Sequence, residues 1–111
     1  MNVLELLTRY KENGYLPVGK GWHPIVLKLI KDIAEIAPDT EVSQIKEKFG
    51  TLRFYCQGDG GDAIGDLIEK AEQESGKTCE ECGTKKNVST KSTAKNGWIL
   101  TLCKSCRRSK K

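Results

Sequence analysis

Histidine is almost absent from this sequence, and the residue types that support catalysis do not form a recognisable pattern. The 111 residues include one histidine, His23, which adjoins a predicted helix start and can be interpreted either as a phosphate donor or as a packing residue. Cys56 alternates with apolar residues and has no further histidine to activate it, so we expect an inert thiol. Asp59 and Asp62 supply too few oxygen ligands for a hard cation. The sequence therefore predicts a protein that is not an enzyme.

Long hydrophobic runs and an export signal are also absent. No apolar segment approaches the ~20 residues that cross a bilayer, and residues 1–7 lack the basic start and cleavage site of a signal peptide. Hydrophobic residues make up 37% of the chain and charged residues 31%, which is typical of a small globular domain. We expect a cytoplasmic protein without a membrane partner, in which paired cysteines stay reduced and serve as metal ligands.

Positive and negative charges are unevenly distributed along the chain. Residues 1–75 contain 9 Lys and Arg against 13 Asp and Glu, a net charge of −4. Residues 76–111 contain 10 against 2, a net charge of +8, which four thiolates and one Zn²⁺ would reduce by two, to +6. A basic segment on an acidic body indicates a partner that carries phosphate groups, although solubility alone would also explain it.

Three short amphipathic helices are predicted in the first two thirds of the chain. The first covers residues 2–12 and stops at a glycine. The second opens around Pro24, because proline suits the first helical position, and ends before Pro38. The third is capped by Asp62 and ends near residue 75, before another glycine.

A β-hairpin is predicted between the second and third helices. Its strands are expected near residues 42–48 and 51–57, with a turn at Phe49-Gly50 in which glycine supplies a positive φ. Alternation divides the side chains of the second strand between two faces. Leu52, Phe54 and Cys56 are expected to face the core, and Arg53 and Tyr55 the opposite side. Residues 1–76 are thus expected to form an α+β body of three short helices and one hairpin.

The last part of the chain, residues 77–111, contains the most specific motif. Two Cys-x-x-Cys pairs, Cys79/Cys82 and Cys103/Cys106, are separated by 20 residues. Each pair can turn two sulfurs toward one ion, and Gly83 after the first pair supplies the left-handed residue that such a turn commonly needs. Two pairs complete a closed tetrahedral S₄ shell. Zinc favours this shell, and iron is the open alternative. With Asn96-Gly97 as a hairpin turn between the pairs, the spacing predicts a zinc ribbon whose structural zinc supplies folding energy.

Two basic surfaces are candidates for binding phosphate groups. The first would combine the hairpin with the loop before the second helix, so that cations meet phosphates while a ring stacks on a base. Its candidate residues are Lys20, Trp22, His23, Lys46, Lys48, Arg53 and Tyr55. The second is the ribbon, which would contact nucleic-acid backbone without base-specific readout. Its candidate residues are Lys85, Lys86, Lys91, Lys95, Trp98, Lys104, Arg107 and Arg108.

Each of these assignments has a plainer alternative. Trp22 could instead be a core residue that packs at the end of a helix, and the lysines of the hairpin could be solvated side chains on a strand edge. The basic tail after the last cysteine is expected to be disordered. A surface that binds phosphate therefore requires that the structure leave these side chains exposed and close together.

The run from Gln44 to Tyr55, with its core KEKFG-x-LRFY, resembles a segment of small accessory proteins of bacteriophages and prophages. The similarity covers about residues 20–106 and includes Gly21-Trp22, the approach to the first cysteine pair and the late Cys-x-x-Cys. It implies a small accessory protein in the cytoplasm of an infected bacterium, and it implies no particular activity.

Three functional hypotheses follow for a protein that acts by binding. It could sequester a nucleotide signal of host immunity, as a counter-defence protein, through Arg53 and the residues around it. It could bind nucleic acid through the ribbon in phage replication, transcription or recombination, with a steep dependence on salt. It could instead be an adaptor that binds a host protein, with zinc purely structural. A small nucleotide would need a pocket or a dimer interface, so a homo-oligomer is an open alternative.

Overall fold

Helices and strands form two groups along the chain. The computed structural model describes residues 1–57, 61–92 and 99–109. The helices are α1 (Val3–Asn13), α2 (His23–Ile36), α3 (Gly61–Ser75) and α4 (Lys104–Ser109), and the strands are β1 (Val42–Lys48), β2 (Thr51–Cys56), β3 (Val88–Ser92) and β4 (Ile99–Cys103). A single 3₁₀ turn, Lys20–Trp22, precedes α2. The strands form two antiparallel sheets, β1–β2 and β3–β4, which confirms the predicted α+β fold with a C-terminal ribbon.

Local sequence signals explain where the longer helices begin and end. Asn2 accepts a hydrogen bond from the Glu5 backbone N–H, and the Glu5 carboxylate accepts one from the Asn2 N–H, so the two residues cap α1 reciprocally. Gly14 has a φ of 66° and ends α1 in a left-handed conformation. Pro24 lies in the first turn of α2, and Asp62 lies in the first turn of α3 rather than at the predicted cap position. Across the described ranges, no helix combines the length and the apolar character that a membrane crossing needs.

The body core lies between α2, α3 and the β1–β2 hairpin. The apolar face of α2 packs against α1 on one side and α3 on the other, and α3 also packs on β2. The largest fully or almost fully buried side chains of this core are Trp22, Val26, Ile30, Ile33, Leu52, Phe54 and Ile64. A second, smaller cluster in the ribbon is formed by Cys79, Leu102 and Cys103. The body and the ribbon therefore bury separate sets of apolar side chains.

The β1–β2 hairpin has the predicted strands and turn. Phe49 and Gly50 have φ of 55° and 84°, and two successive left-handed residues fit a two-residue hairpin loop. Leu52 and Phe54 are buried on the side that faces the helices, whereas Tyr55 is 43% exposed on the other side. The alternation predicted for β2 is confirmed.

Side chains of α3 cover the free edge of β2. The Leu52 N–H donates to Ser75 Oγ at 2.8 Å, and the Phe54 N–H donates to the Glu72 carboxylate at 3.2 Å. Ser75 is completely buried in this position. These bonds satisfy two backbone donors that the edge strand would otherwise leave unpaired, and they fix α3 against the hairpin.

Helix α4 corrects the expectation that the chain is disordered after the last cysteine. Arg107 lies in α4, which continues to Ser109. The Arg107 guanidinium donates to the carbonyl oxygens of Ser89 at 2.7 Å and Leu100 at 3.2 Å. Because these carbonyls belong to β3 and β4, one side chain ties the helix to both strands. The predicted turn at Asn96-Gly97 lies outside the described residues.

Candidate metal centre

The cysteines of the two Cys-x-x-Cys pairs converge at one end of the β3–β4 ribbon. The sulfur atoms of Cys79, Cys82, Cys103 and Cys106 all lie within 4.8 Å of one another, and those of Cys82 and Cys103 are 3.7 Å apart. None of the five cysteines, all within the described ranges, forms a disulfide. A tetrahedral site with metal–sulfur bonds of ~2.3 Å has sulfur–sulfur edges of ~3.8 Å. The cluster therefore fits one metal ion held by four thiolates.

Backbone hydrogen bonds set the positions of these ligands. The Cys79 N–H donates to the Thr84 carbonyl, and the Gly83 N–H donates to the Cys79 carbonyl, both at 2.9 Å. Gly83 has a φ of 82°, which confirms the left-handed residue expected after the first pair. In the second pair, the Cys106 N–H donates to the Cys103 sulfur at 3.4 Å. The first pair is therefore a tight turn, whereas the second pair spans the junction of β4 and α4, and in each pair the local backbone directs the two sulfurs to the same side.

The surroundings of Cys79 favour the thiolate that a metal ion requires. Burial alone would raise the pKa of Cys79, but backbone donors at Cys82, Cys103 and Glu81 outweigh it and lower the pKa to about 6. The hydrogen-bonded Cys103 sulfur, with a further contribution from burial, raises the pKa of Cys106. One thiolate disfavours a second negative charge beside it, and a divalent cation removes that penalty because it binds all four thiolates.

Four protein ligands leave no open coordination position, so a metal ion at this centre would be structural. Cys79 and Cys103 are buried in the apolar cluster of the ribbon together with Leu102. That cluster is too small to hold some thirty residues in a fixed fold, and metal binding would supply the missing free energy.

Close backbone contacts attach the metal centre to the body. The Gly21 N–H donates to the Glu80 carbonyl, and the Trp22 indole N–H donates to the Thr78 carbonyl, both at 2.9 Å. A β-carbon at Gly21 would lie 2.1 Å from the Cys79 carbonyl oxygen. Only glycine permits this approach, so the loop before α2 and the first cysteine pair fit against each other through their backbones.

The structure places Trp22 and His23 in the core, which corrects their assignment to a ligand-binding surface. Trp22 is completely buried and His23 is 8% exposed. The His23 ring lies 3.1 Å from the Tyr10 hydroxyl and 3.2 Å from the Val18 carbonyl, so Nε2 donates to the carbonyl and Nδ1 pairs with the hydroxyl. Both large rings are buried with their polar atoms paired. Lys20 is exposed, but it lines a groove with residues of α2 and the ribbon rather than with the hairpin.

The other four residues of that predicted surface do lie together, on the outer face of β1–β2. Lys46, Lys48, Arg53 and Tyr55 alternate with the core-facing residues and share the opposite side of the sheet. The Lys46 ammonium lies 5.8 Å from the centre of the Tyr55 ring, within the range of a cation–π contact. We call these four residues the hairpin face.

The eight residues predicted for the ribbon surface divide into three groups. Lys85 pairs with Glu74 of α3 at 3.1 Å, and Arg107 is used inside the ribbon. Lys95 and Trp98 lie outside the described residues. The remaining four, Lys86, Lys91, Lys104 and Arg108, are exposed.

A groove of about 570 Å³ lies between β3 and α4. Its lining consists of Asn87, Val88, Ser89, Lys91, Lys104, Arg107 and Arg108, and we call it the ribbon groove. All of its charged lining residues are cations. Two other grooves, of about 250 and 360 Å³, differ in this respect because Glu74 lines both and Asp32 lines one.

The residues that join the ribbon to the body were not predicted from the sequence. Gly19 and Gly21 could have indicated this contact, since glycines occur where two backbones approach closely as well as in bends. Glu80 had no comparable signal. Its carboxylate accepts a hydrogen bond from the Thr101 N–H at 3.1 Å, and burial raises the pKa of Glu80 to about 7. The burial of Glu80 depends on contacts that the local sequence does not show.

No family model matches the chain, and no curated protein or solved structure matches it either.

Proposed function

We propose that this protein is a non-enzymatic, zinc-stabilised module that binds nucleic acid through the ribbon groove, as an accessory protein of bacteriophage type. The observation that carries the proposal is the charge of that groove, whose charged lining residues are Lys91, Lys104, Arg107 and Arg108, with no carboxylate among them. Such a surface attracts a polyanion and releases its counter-ions on binding. The resemblance of residues 44–55 to phage proteins supports the biological setting.

The construction of the groove favours contacts to phosphates over contacts to bases. Arg107 holds α4 on the ribbon through two carbonyl groups, so Lys91, Lys104 and Arg108 project from a fixed frame. Helix α4 has 6 residues, which is short for a helix that reads base edges in a major groove. The proposed binding is therefore independent of sequence and strongly dependent on salt.

Zinc is the metal that we propose for the four-cysteine centre. Iron would accept the same four thiolates, but it would give the protein visible charge-transfer absorbance. Elemental analysis of the purified protein should find one zinc ion per chain. A protein without metal, or with these sulfurs paired covalently, would remove the basis of the proposed architecture.

A triple variant, Lys91→Gln, Lys104→Gln and Arg108→Gln, tests the ribbon groove. We expect weaker binding to short DNA, and the slope of log affinity against log salt should fall by up to ~0.9 for each phosphate that the protein no longer neutralises. Fluorescence anisotropy over a series of salt concentrations measures both quantities. Arg107 is left unchanged because its replacement would disturb the fold.

The matched control removes the same amount of charge from exposed positions on the body, through Lys11→Gln, Lys31→Gln and Lys70→Gln. This variant should keep most of the affinity and the salt slope of the wild-type protein. Equal losses in the two triple variants would show that net charge, and not the ribbon groove, governs binding.

Sequestration of a host nucleotide signal, as a counter-defence protein, is the second candidate. The observation that favours it is the hairpin face, where four of the seven residues predicted for a nucleotide site lie together. The burial of Trp22 and His23 removes the other aromatic ring and donor from that site, and we therefore rank this role below nucleic-acid binding. An adaptor that binds a host protein is the third candidate, and it would be favoured if neither nucleotides nor nucleic acids bound.

A further inference from the structure

Two cations face each other directly across the β1–β2 hairpin. The register pairs Lys46 with Arg53, and like charges in opposed positions destabilise an antiparallel pair. Lys48 lies on the same face, two residues along the strand. The ion pairs among the described residues all lie elsewhere. The hairpin face therefore holds three positive charges that take no part in those ion pairs.

Arg53 also has a donor without an acceptor. Its Nε atom is shielded from solvent and makes no hydrogen bond within the described part of the chain. Buried polar groups are normally paired, and an ion or a ligand is one partner that would satisfy this donor. The Nε atom of Arg107 is also unpaired, although that side chain bonds three carbonyl groups of the ribbon. An anion between Arg53 and Lys46 would neutralise the opposed charges and would lie within reach of the guanidinium donors.

Aromatic rings stand beside these cations. Tyr55 is 43% exposed and Phe49 is 64% exposed, so neither ring is explained by burial in the core. Phe49 occupies the first position of the turn with a φ of 55°, where glycine or asparagine would be less strained. The Lys48 ammonium lies 5.6 Å from the centre of the Phe49 ring. Residues held in strained backbone conformations cluster at functional sites.

We propose that the hairpin face binds a nucleotide unit, with its phosphate held between Lys46 and Arg53 and its base stacked on Tyr55. The inference deepens the second candidate function and rests on it, and it does not require the ribbon groove. None of the three grooves described above includes these residues, so the hairpin face is an open site, and the pocket or dimer interface that sequestration needs is not part of this inference. Arginine and lysine together match a phosphate dianion, and an adjacent exposed ring matches a base. A free nucleotide and a single strand of nucleic acid share this chemistry, so both are ligands to test.

Titration calorimetry on the full, zinc-loaded chain can compare four probes: inorganic phosphate, ATP, a cyclic dinucleotide and a short oligo(dT) strand. Wild-type protein should bind at least one of the nucleotide probes more tightly than inorganic phosphate, since only those probes can stack. Arg53→Gln should weaken that binding about tenfold or more, because the variant cannot form the charge-assisted hydrogen bond. Tyr55→Leu should weaken nucleotide binding and leave the affinity for inorganic phosphate unchanged.

Lys46→Gln should change stability and affinity in opposite directions, which a purely structural role for Lys46 would not produce. The substitution removes one of two opposed cations, so the free protein should melt at a higher temperature while its affinity for the nucleotide probe falls. Lys31→Gln, at an exposed site on α2, should change neither property. A variant with lower stability as well as lower affinity would indicate that Lys46 supports the fold, and this would overturn its assigned role.

The four probes separate the two sources of the ligand. Binding of ATP or the cyclic dinucleotide would support a free nucleotide, and binding of oligo(dT) alone would support a single strand. Wild-type protein that binds none of these probes, or hairpin variants that bind as the wild type does, would refute the proposal. The ribbon triple variant should retain nucleotide binding, so the hairpin inference and the ribbon proposal can fail independently.

Discussion

Gly21 lies against the backbone of the first cysteine pair, at the point where the body meets the ribbon. A β-carbon there would lie 2.1 Å from the Cys79 carbonyl oxygen and 2.6 Å from the Gly83 nitrogen. Both neighbours are backbone atoms of the turn that carries two of the metal ligands. The turn cannot move away without changing the positions of those ligands.

We expect Gly21→Ala to lower the free energy of unfolding by about 2 kcal/mol or more, since it overpacks a rigid contact. Metal affinity should fall in parallel. Gly65→Ala is the matched control, because a β-carbon at this position in α3 meets nothing within 4 Å and alanine is the better helix former, by up to ~1 kcal/mol. Urea unfolding with zinc present compares the two variants, and equal stabilities would contradict the close approach at Gly21.

Glu80 lies in the first cysteine pair, and its pKa depends on its burial in the folded protein. Burial raises its pKa to about 7 from an ordinary value of 4.5, against the opposing effect of the Thr101 N–H, which donates to the carboxylate. A raised pKa means that the folded protein favours the protonated acid. The resulting stabilisation is complete below about pH 4.5 and is lost as the pH rises through about 7.

Glu80→Gln should therefore stabilise the folded protein relative to the wild type more at high pH than at low pH. Glutamine keeps an oxygen acceptor for the Thr101 N–H but carries no charge, so the variant avoids the destabilisation that the wild type undergoes between these pH values. Melting temperatures measured near pH 5.5 and pH 8, with zinc present, test the sign. The difference between variant and wild type should be more positive at pH 8, and a difference independent of pH would contradict the raised pKa.

At the scale of elements, α4 is joined to the ribbon by the Arg107 side chain. Its guanidinium bonds the carbonyls of Ser89 and Leu100, with a longer bond of 3.4 Å to the Lys91 carbonyl. Lysine cannot reproduce this arrangement, because its single ammonium lacks the planar fork of donors. The ribbon groove therefore depends on arginine for its shape as well as for charge.

Arg107→Lys should destabilise the ribbon by ~1–2 kcal/mol because lysine cannot make the same hydrogen bonds, although the net charge is unchanged. Arg108→Lys is the control, since Arg108 is exposed on the same helix and surface substitutions usually change stability by less than ~0.5 kcal/mol. Amide hydrogen exchange of α4 and β3 measures the local effect. Similar exchange rates in the two variants would show that Arg107 does not anchor the helix.

At the scale of the whole molecule, the body and the ribbon have separate apolar clusters but share an interface. The Trp22 indole reaches the Thr78 carbonyl, and the Thr101 hydroxyl donates to the Gly50 carbonyl at the hairpin turn. The metal centre lies in the smaller of the two clusters. Loss of metal should therefore unfold the ribbon first and disturb the body only where the two meet.

Chelation of the metal should abolish the ribbon fold while the helices of the body remain. We expect the near-UV circular dichroism of the tryptophans to change, because Trp22 loses its partner in the ribbon, and most of the far-UV helical signal to persist. Addition of zinc should restore the original spectrum. An unchanged near-UV signal would show that the metal does not hold the ribbon, and complete loss of helix would show that the two parts unfold as one unit.

Features that depend on local spacing could be predicted from the amino-acid sequence. These features are the two Cys-x-x-Cys pairs, the alternation along β2 and the turn glycines Gly14, Gly50 and Gly83. Each involves only a few neighbouring residues, so its geometry follows from backbone chemistry. The α+β fold, the two faces of the β1–β2 hairpin and the set of four metal ligands were predictable for this reason. Four of the seven residues proposed for a nucleotide surface came together because they belong to one hairpin.

Which side chains of that predicted surface remain exposed to a ligand depends on long-range packing. Trp22 bonds a carbonyl 56 positions further along the chain, and no local pattern distinguishes such a buried indole from one exposed for stacking. The fixed position of Arg107 likewise depends on strands from both halves of the ribbon hairpin. Burial and long-range hydrogen bonds are properties of the packed chain, since they arise only when segments distant in sequence displace water from each other.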